Sequence, residues 1–131
     1  MRTAIAAWNS QGPAAFVEFT SEDIALEDPP EQPDRGRWIG RKAVTRRLEE
    51  VSASTGGHWA DIEEVRSVGD CLLVLLHWRR GGSPHSPILA AIYLLMKVDD
   101  SQITDIRVFL DEHAAIEAGD RPDRSERSER D

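Results

Sequence analysis

Residues 24–30, Ile24-Ala25-Leu26-Glu27-Asp28-Pro29-Pro30, decide how this chain is read. Ile24, Leu26 and Asp28 fall on one side of a two-residue alternation, the period of a strand, and a double proline with no amide hydrogen to extend a ladder stops the strand after the acid. Upstream, TAIAAWNS (3–10) has the small and apolar residues of a short helix, Gly12-Pro13 interrupts it, and PAAFVEFT (13–20) resumes a helical pattern with Phe16 and Phe19 three apart. Ser21 caps or turns the chain into the strand. Downstream, EQPDRGRWIG (31–40) reads as an ordered but irregular loop ending at Gly40. From position 41, RKAVTRRLEEVSAS sets Ala43, Val44, Leu48 and Val51 at helical spacing, with Arg46 and Arg47 facing Glu49 and Glu50 on the outer surface. This is the longest helix, and Ser54-Thr55-Gly56-Gly57 ends it.

The remainder reads mostly as strand: HWADIEEVRSV (58–68), CLLVLLHWRR (71–80), ILAAIYLLMKV (88–98) and QITDIRVFL (102–110). Val68-Gly69-Asp70 and Asp99-Asp100-Ser101 are tight-turn candidates, and GGSPHSP (81–87) is a longer loop. DEHAAIEAG (111–119) is a terminal helix or turn. Beyond it the chain is a charged repeat of Arg, Ser and Glu with too few apolar residues to offset its ordering entropy, so disorder is expected from about Asp120. The expected organisation is one domain over 1–119 and a charged tail over 120–131.

At 131 residues the chain is long enough to bury roughly two thirds of its unfolded surface in one core. It has no apolar run of about 18 residues that would span a bilayer, and its first residues lack the apolar region of a signal peptide, so a cytoplasmic protein without membrane contact is expected. Net charge is −8, and six acids (Glu22, Asp23, Glu27, Asp28, Glu31, Asp34) precede Arg35, a surface that repels a phosphate backbone; no nucleic-acid partner is expected. Cys71, the one cysteine, sits in the apolar run CLLVLL and reads as a buried hydrophobe. CLLVLLHW and ILAAIYLLM are apolar on both parities, which requires cover on both sheet faces. A second copy of the chain supplies it, giving a homodimer, or else the last helix and tail fold back.

The order helix, helix, strand ending in EDPP, long helix and meandering strands resembles the NTF2-like, or SnoaL-like, superfamily of ketosteroid isomerases, polyketide cyclases and limonene epoxide hydrolases. The likeness runs over about positions 3 to 119, on IALEDPP, on Gly40 in WIGRKAV and on ITDIRVFLDEHAAIEA. It implies an α+β fold of cystatin-like type, a cone-shaped barrel in which a curved antiparallel sheet wraps around helices. It also implies a pocket for a small hydrophobic ligand, with its mouth near the EDPP strand and the long helix, and no cofactor.

In the steroid isomerases the aspartate of a similar EDP segment is the general base, which makes Asp28 the candidate base here; the alternative is that Asp28 braces the turn before Pro29-Pro30. Laid without gaps on the isomerase pattern, Ala4 stands in place of a phenol donor, and Tyr93 takes the place of a protonated aspartic acid. Tyr93 is therefore a candidate donor, with a core aromatic as the alternative. His77 shares its parity with Cys71, Leu73 and Leu75 and is a candidate polar partner in the pocket, or else a satisfied strand-end histidine. Phe16, Trp38, Trp78 and Arg107 are candidate ligand contacts. Asp105, Arg107 and Asp111 offer the residue types of the epoxide hydrolases, or form a salt-bridged strand at the surface. No histidine pair has metal-site spacing, so no metal is expected.

The functional expectation is thus a pocket protein that moves a proton on its ligand as an isomerase or cyclase does, or acts as a hydrolase, with Asp28 as base. The alternatives are a binding module without turnover and an association domain built for dimerisation, the latter favoured by a cavity below about 300 Å³.

Overall fold

Gly12 adopts φ 91°, a conformation that other residues resist, and there the chain turns from α1 (Arg2–Gln11) into α2 (Pro13–Val17). Pro13 opens α2 because the first helical position needs no amide donor. The computed structural model describes residues 2–33, 35–54 and 58–120. Among them, four helices and six strands follow in the order α1, α2, β1 (Thr20–Glu27), β2 (Arg37–Ile39), α3 (Arg41–Ser54), β3 (His58–Val68), β4 (Cys71–Arg80), β5 (Ile88–Asp99), β6 (Gln102–Phe109) and α4 (Glu112–Asp120). The strands form one curved sheet in the order β2-β1-β6-β5-β4-β3.

Three details depart from the sequence reading, the first being that α2 ends at Val17 and β1 already starts at Thr20, so Ser21 lies inside the strand rather than capping or turning the chain into it. The sheet is antiparallel except where β1 runs parallel to β6, with Leu26 opposite Ile106, because α3 carries the chain from β2 at one edge to β3 at the opposite edge and the meander β3-β4-β5-β6 brings it back beside β1. The loop 31–40 also contains β2, whose Trp38 lies opposite Leu26. Three residues flanked by glycines and prolines are too short for periodicity to register. The expected turns form as two-residue hairpins: Gly69 has φ 59°, and Asp100 and Ser101 have φ 52° and 68°, the left-handed pair of a type I′ turn. Thr55, Gly56 and Gly57, expected to end the long helix, lie outside the described residues, as does the tail 121–131; Asp120 is the last residue of α4.

Each face of the sheet carries its own core. On the inner face Ile24, Leu26, Val74, Leu76, Met96 and Ile106 pack against Ile5, Trp8, Phe16 and Val44 from the first three helices. On the outer face Val68, Cys71, Leu73, Leu95 and Phe109 pack against Ala115 of α4. The helix sits flush because Gly119 has no side chain: a Cβ there would lie 2.7 Å from Val68 Cγ1. Cys71 is buried, and that burial pushes its thiol pKa up against the opposing charges of Arg107 and Lys97. The apolar run around it is thus covered at this end by α4.

α3 takes its angle from Gly40, at φ 93°, whose amide donates to Ile24 O at 2.8 Å and whose carbonyl accepts from Val44 N at 3.0 Å. α1 is held to the open edge of β3 by Asn9. Its Nδ2 donates to Ala60 O and its Oδ1 accepts from Ala60 N, both at 2.8 Å, as a neighbouring strand would.

Candidate functional site

Between the helices and the inner face lies a cavity of about 190 Å³. Trp8, Phe16 and Trp78 form an aromatic wall: Trp8 meets Phe16 edge-on with ring centroids 6.0 Å apart and Trp78 at 5.6 Å with a 40° tilt. Leu26, Leu76, Leu94 and Ile106 supply aliphatic surface from the strands. Against this apolar lining stand two charged side chains, Asp28 and Arg47, and one amide, Gln32.

Asp28 follows the last residue of β1, where the alternation that buries Ile24 and Leu26 carries its side chain inward and leaves it only 8% exposed. Its Oδ2 accepts from Arg47 Nη2 and from the Gly36 amide, each at 3.2 Å. Its own amide donates to Gly36 O at 3.0 Å, so the backbone closes the loop around it. Among the described residues the side-chain hydrogen bonds of Asp28 all fall on Oδ2 and none on Oδ1.

Arg47 reaches the cavity because α3 places it on the stripe of Val44, Leu48 and Val51, the i, i+3, i+4, i+7 positions that face the sheet. The sequence reading assigned it to the outer surface with Glu50. The Glu50 contact exists, at 3.6 Å, but the side chain is 22% exposed and its main partner is Asp28. Its guanidinium carbon lies 4.6 Å from the Trp38 ring centroid, a stacking that desolvates one face of the cation. Gly36 leaves room for this ring, since a Cβ there would come within 2.8 Å of Trp38 Cη2. Two buried atoms in this corner, Gln32 Oε1 and Arg47 Nε, have no hydrogen-bond partner among the described residues.

The family model described as SnoaL-like domain matches residues 1–106. The chain belongs to this family. Among solved structures, Bal32a from a soil-derived mobile gene cassette superposes with TM-score 0.68 at 18% identity, covering 92% of this chain and 92% of its own. An NTF2-like protein of unknown function from Mesorhizobium loti gives TM-score 0.62 at 23% identity over 85% of this chain and 87% of that one. TerC, co-crystallised with polyporic acid, gives 0.66 at 16% identity over 90% and 93%. These likenesses establish the fold. No curated protein matches by sequence.

In this SnoaL-like domain the candidates separate by face. Asp28, Phe16 and Trp78 line the cavity, and Trp38 lies one layer behind it, against Arg47. Tyr93, His77 and Arg107 are on the opposite side of the sheet. Leu76 and Trp78 take the inward parity of β4, which turns His77 outward, where its Nδ1 lies 3.6 Å from Glu63 Oε2. Tyr93 sits in a shallow outer cleft with Arg66, Leu75 and Glu112, because its neighbours Ile92 and Leu94 point inward. Arg107 points toward Cys71 while Ile106 and Val108 line the cavity. Asp111 accepts from Ala114 N at 2.9 Å and so caps α4.

The outer face has a carboxylate pair of its own. Asp61 accepts from Arg79 Nε at 2.6 Å on Oδ2 and from Trp59 Nε1 at 2.8 Å on Oδ1, and Arg79 also donates to Ser86 O at 2.9 Å, fastening the 81–87 loop. Burial works against ionisation of Asp61, but the bonds from Arg79 and Trp59 and the charges of Arg79 and His77 outweigh it and lower its pKa. Among the described residues no group of three or more His, Cys, Asp or Glu side chains is placed to hold a metal, and no helix is long and apolar enough to cross a membrane.

Proposed function

We propose that this SnoaL-like domain holds a small, apolar, carbonyl-bearing molecule and moves a proton on it, with Asp28 as the base. One observation carries this reading: a carboxylate only 8% exposed, with one oxygen unpaired, stands in the corner of an otherwise apolar cavity. Asp28 Oδ1 takes the proton from the carbon beside the carbonyl, and the electron pair moves to the carbonyl oxygen. In a β,γ-unsaturated carbonyl compound the pair spreads over a dienolate and the proton returns at the γ-carbon, so the double bond moves into conjugation and no co-reactant is consumed. Arg47, whose Nε–H is unused, supplies the donor that an enolate oxygen requires. The fold neighbour TerC was co-crystallised with polyporic acid, which is compatible with this use of the fold.

At about 190 Å³ the cavity lies under the roughly 300 Å³ of drug-sized sites, a size that also suits the association reading. It exceeds the roughly 150 Å³ of an engineered cavity that binds benzene, so the ligand is ring-sized rather than polycyclic. Screening monocyclic carbonyl compounds for turnover by wild type and Asp28→Asn tests the proposal. Turnover lost about 10²- to 10⁴-fold in the variant supports it, and equal turnover in both ends the catalytic claim.

A second reading, binding without turnover, draws on the double occupation of Oδ2 by Arg47 and Gly36, which makes Asp28 a brace. Ligand-dependent thermal stabilisation without product distinguishes it. A homodimer is proposed on the part of the outer face beyond α4, where Leu75 and Tyr93 are half-buried and Ala91 is exposed. Size exclusion with light scattering at micromolar concentration should give twice the chain mass, and a clean monomer removes this proposal.

A further inference from the structure

The polar corner of the cavity carries more information than the base alone. Three buried side-chain atoms lack a hydrogen-bond partner among the described residues: Ser21 Oγ, Gln32 Oε1 and Arg47 Nε. Two of the three belong to residues that line the cavity, beside the third polar lining residue, Asp28. Buried polar groups are almost always paired, so an unpaired acceptor and donor on two residues that line one hollow, both closed off as the side chains stand, are groups that a bound molecule completes when those side chains turn toward it. We infer that the corner recognises a neutral hydroxyl, on a phenol, a cyclic alcohol or the enol of a monocyclic ketone, through donation from Arg47 Nε–H and acceptance at Gln32 Oε1.

This rests on the ligand-pocket reading above and specifies its chemistry. A hydroxyl both donates and accepts, whereas a ketone oxygen only accepts and leaves Gln32 Oε1 unpaired. An enolate oxygen only accepts and uses Arg47 Nε–H alone while Asp28 carries the proton and is neutral; once Asp28 hands that proton to the oxygen, the resulting enol uses both groups. Charge excludes ionised heads. Asp28 already offsets Arg47, and Glu50 adds a second acid 3.6 Å from the guanidinium, so an anion meets surplus negative charge and an ammonium meets Arg47. The flat wall of Trp8, Phe16 and Trp78 and a volume of about 190 Å³ suit one ring.

The test measures binding of phenol, toluene and benzoate at pH 7 by calorimetry, with quenching of Trp8 and Trp78 fluorescence as a second signal, to wild type, Gln32→Met and Arg47→Lys. Wild type should bind phenol at least about fivefold more tightly than toluene and should bind benzoate most weakly. Gln32→Met removes the acceptor and leaves the Asp28–Arg47 pair; Arg47→Lys keeps a cation beside Asp28 and removes the Nε–H. Each should bring phenol to within about twofold of toluene measured on the same variant. Thermal melts establish that the variants fold, and if Gln32→Met does not, the wild-type ranking and Arg47→Lys carry the decision. Toluene binding as tightly as phenol, benzoate binding best, or a preference surviving both substitutions overturns the hydroxyl inference while leaving the pocket intact. Absence of binding by all three probes overturns the pocket reading along with it.

Discussion

Asp61 and Asp28 are both aspartates paired with an arginine, one on each face of the same sheet. Asp61 uses both oxygens, one for Arg79 and one for Trp59, and its arginine continues to Ser86 O. Asp28 receives Arg47 and the Gly36 amide on a single oxygen, and its arginine keeps an idle Nε–H. The first arrangement is saturated and ties two strands and a loop together. The second is held in position yet incomplete, and it opens onto a cavity where the first opens onto the surface. Pairing with an arginine is thus no guide to role; what distinguishes the two sites is the hydrogen-bonding capacity left over.

The comparison breaks most easily at its largest effect. Asp28→Asn should lose about 10²- to 10⁴-fold of turnover on whichever monocyclic carbonyl compound proves active, and Asp61→Asn should stay within about twofold of wild type. Similar losses in the two variants would show that both carboxylates act through the fold, and the distinction between them would be void.

Much of this architecture is legible in the residues. The double proline after Ile24-Ala25-Leu26 marks the end of β1, the positive-φ glycines mark the breaks, and the four long strands need little more than their β-branched and leucine content. The assignment of faces is another matter. In CLLVLLHW and ILAAIYLL both parities are apolar, so alternation alone does not say whether His77 or Trp78, Tyr93 or Leu94, looks inward; only the helices resolve it. Arg47 is different. Its place on the stripe of Val44, Leu48 and Val51 is an arithmetic consequence of the helical repeat, obscured because a cation next to Arg46 and near Glu50 suggests a solvated surface. Gln32, in an irregular loop, carries no periodic signal.

Stability sharpens the comparison in the opposite sense. Asp61→Asn removes the ion pair with Arg79 and should cost about 1–2 kcal/mol of unfolding free energy at pH 7. The folded pKa of Asp61 lies below its ordinary value of 3.8, so its contribution is complete above that pH and disappears as pH falls from there through the lowered folded value. Denaturant titrations at pH 7 and near pH 2 should therefore show wild type and Asp61→Asn separated at the higher pH and converging at the lower. A gap that persists into acid would assign the cost to packing rather than to charge.

The smallest effect is the most local. Gly36 supplies the amide to Asp28 Oδ2, and its missing side chain admits the Trp38 ring, which in turn backs Arg47. A methyl group at this position stands 2.8 Å from the end of that ring, and because the obstacle is the far edge of a side chain, the indole can swing aside without disturbing the strand. Gly36→Ala should therefore lower stability by under about 1 kcal/mol, yet by loosening Arg47 it should reduce turnover about two- to tenfold and leave the Asp61 site untouched. A shifted tryptophan emission with unchanged turnover would show that Arg47 holds Asp28 without help from Trp38. The inner carboxylate would then be as self-sufficient as the outer one.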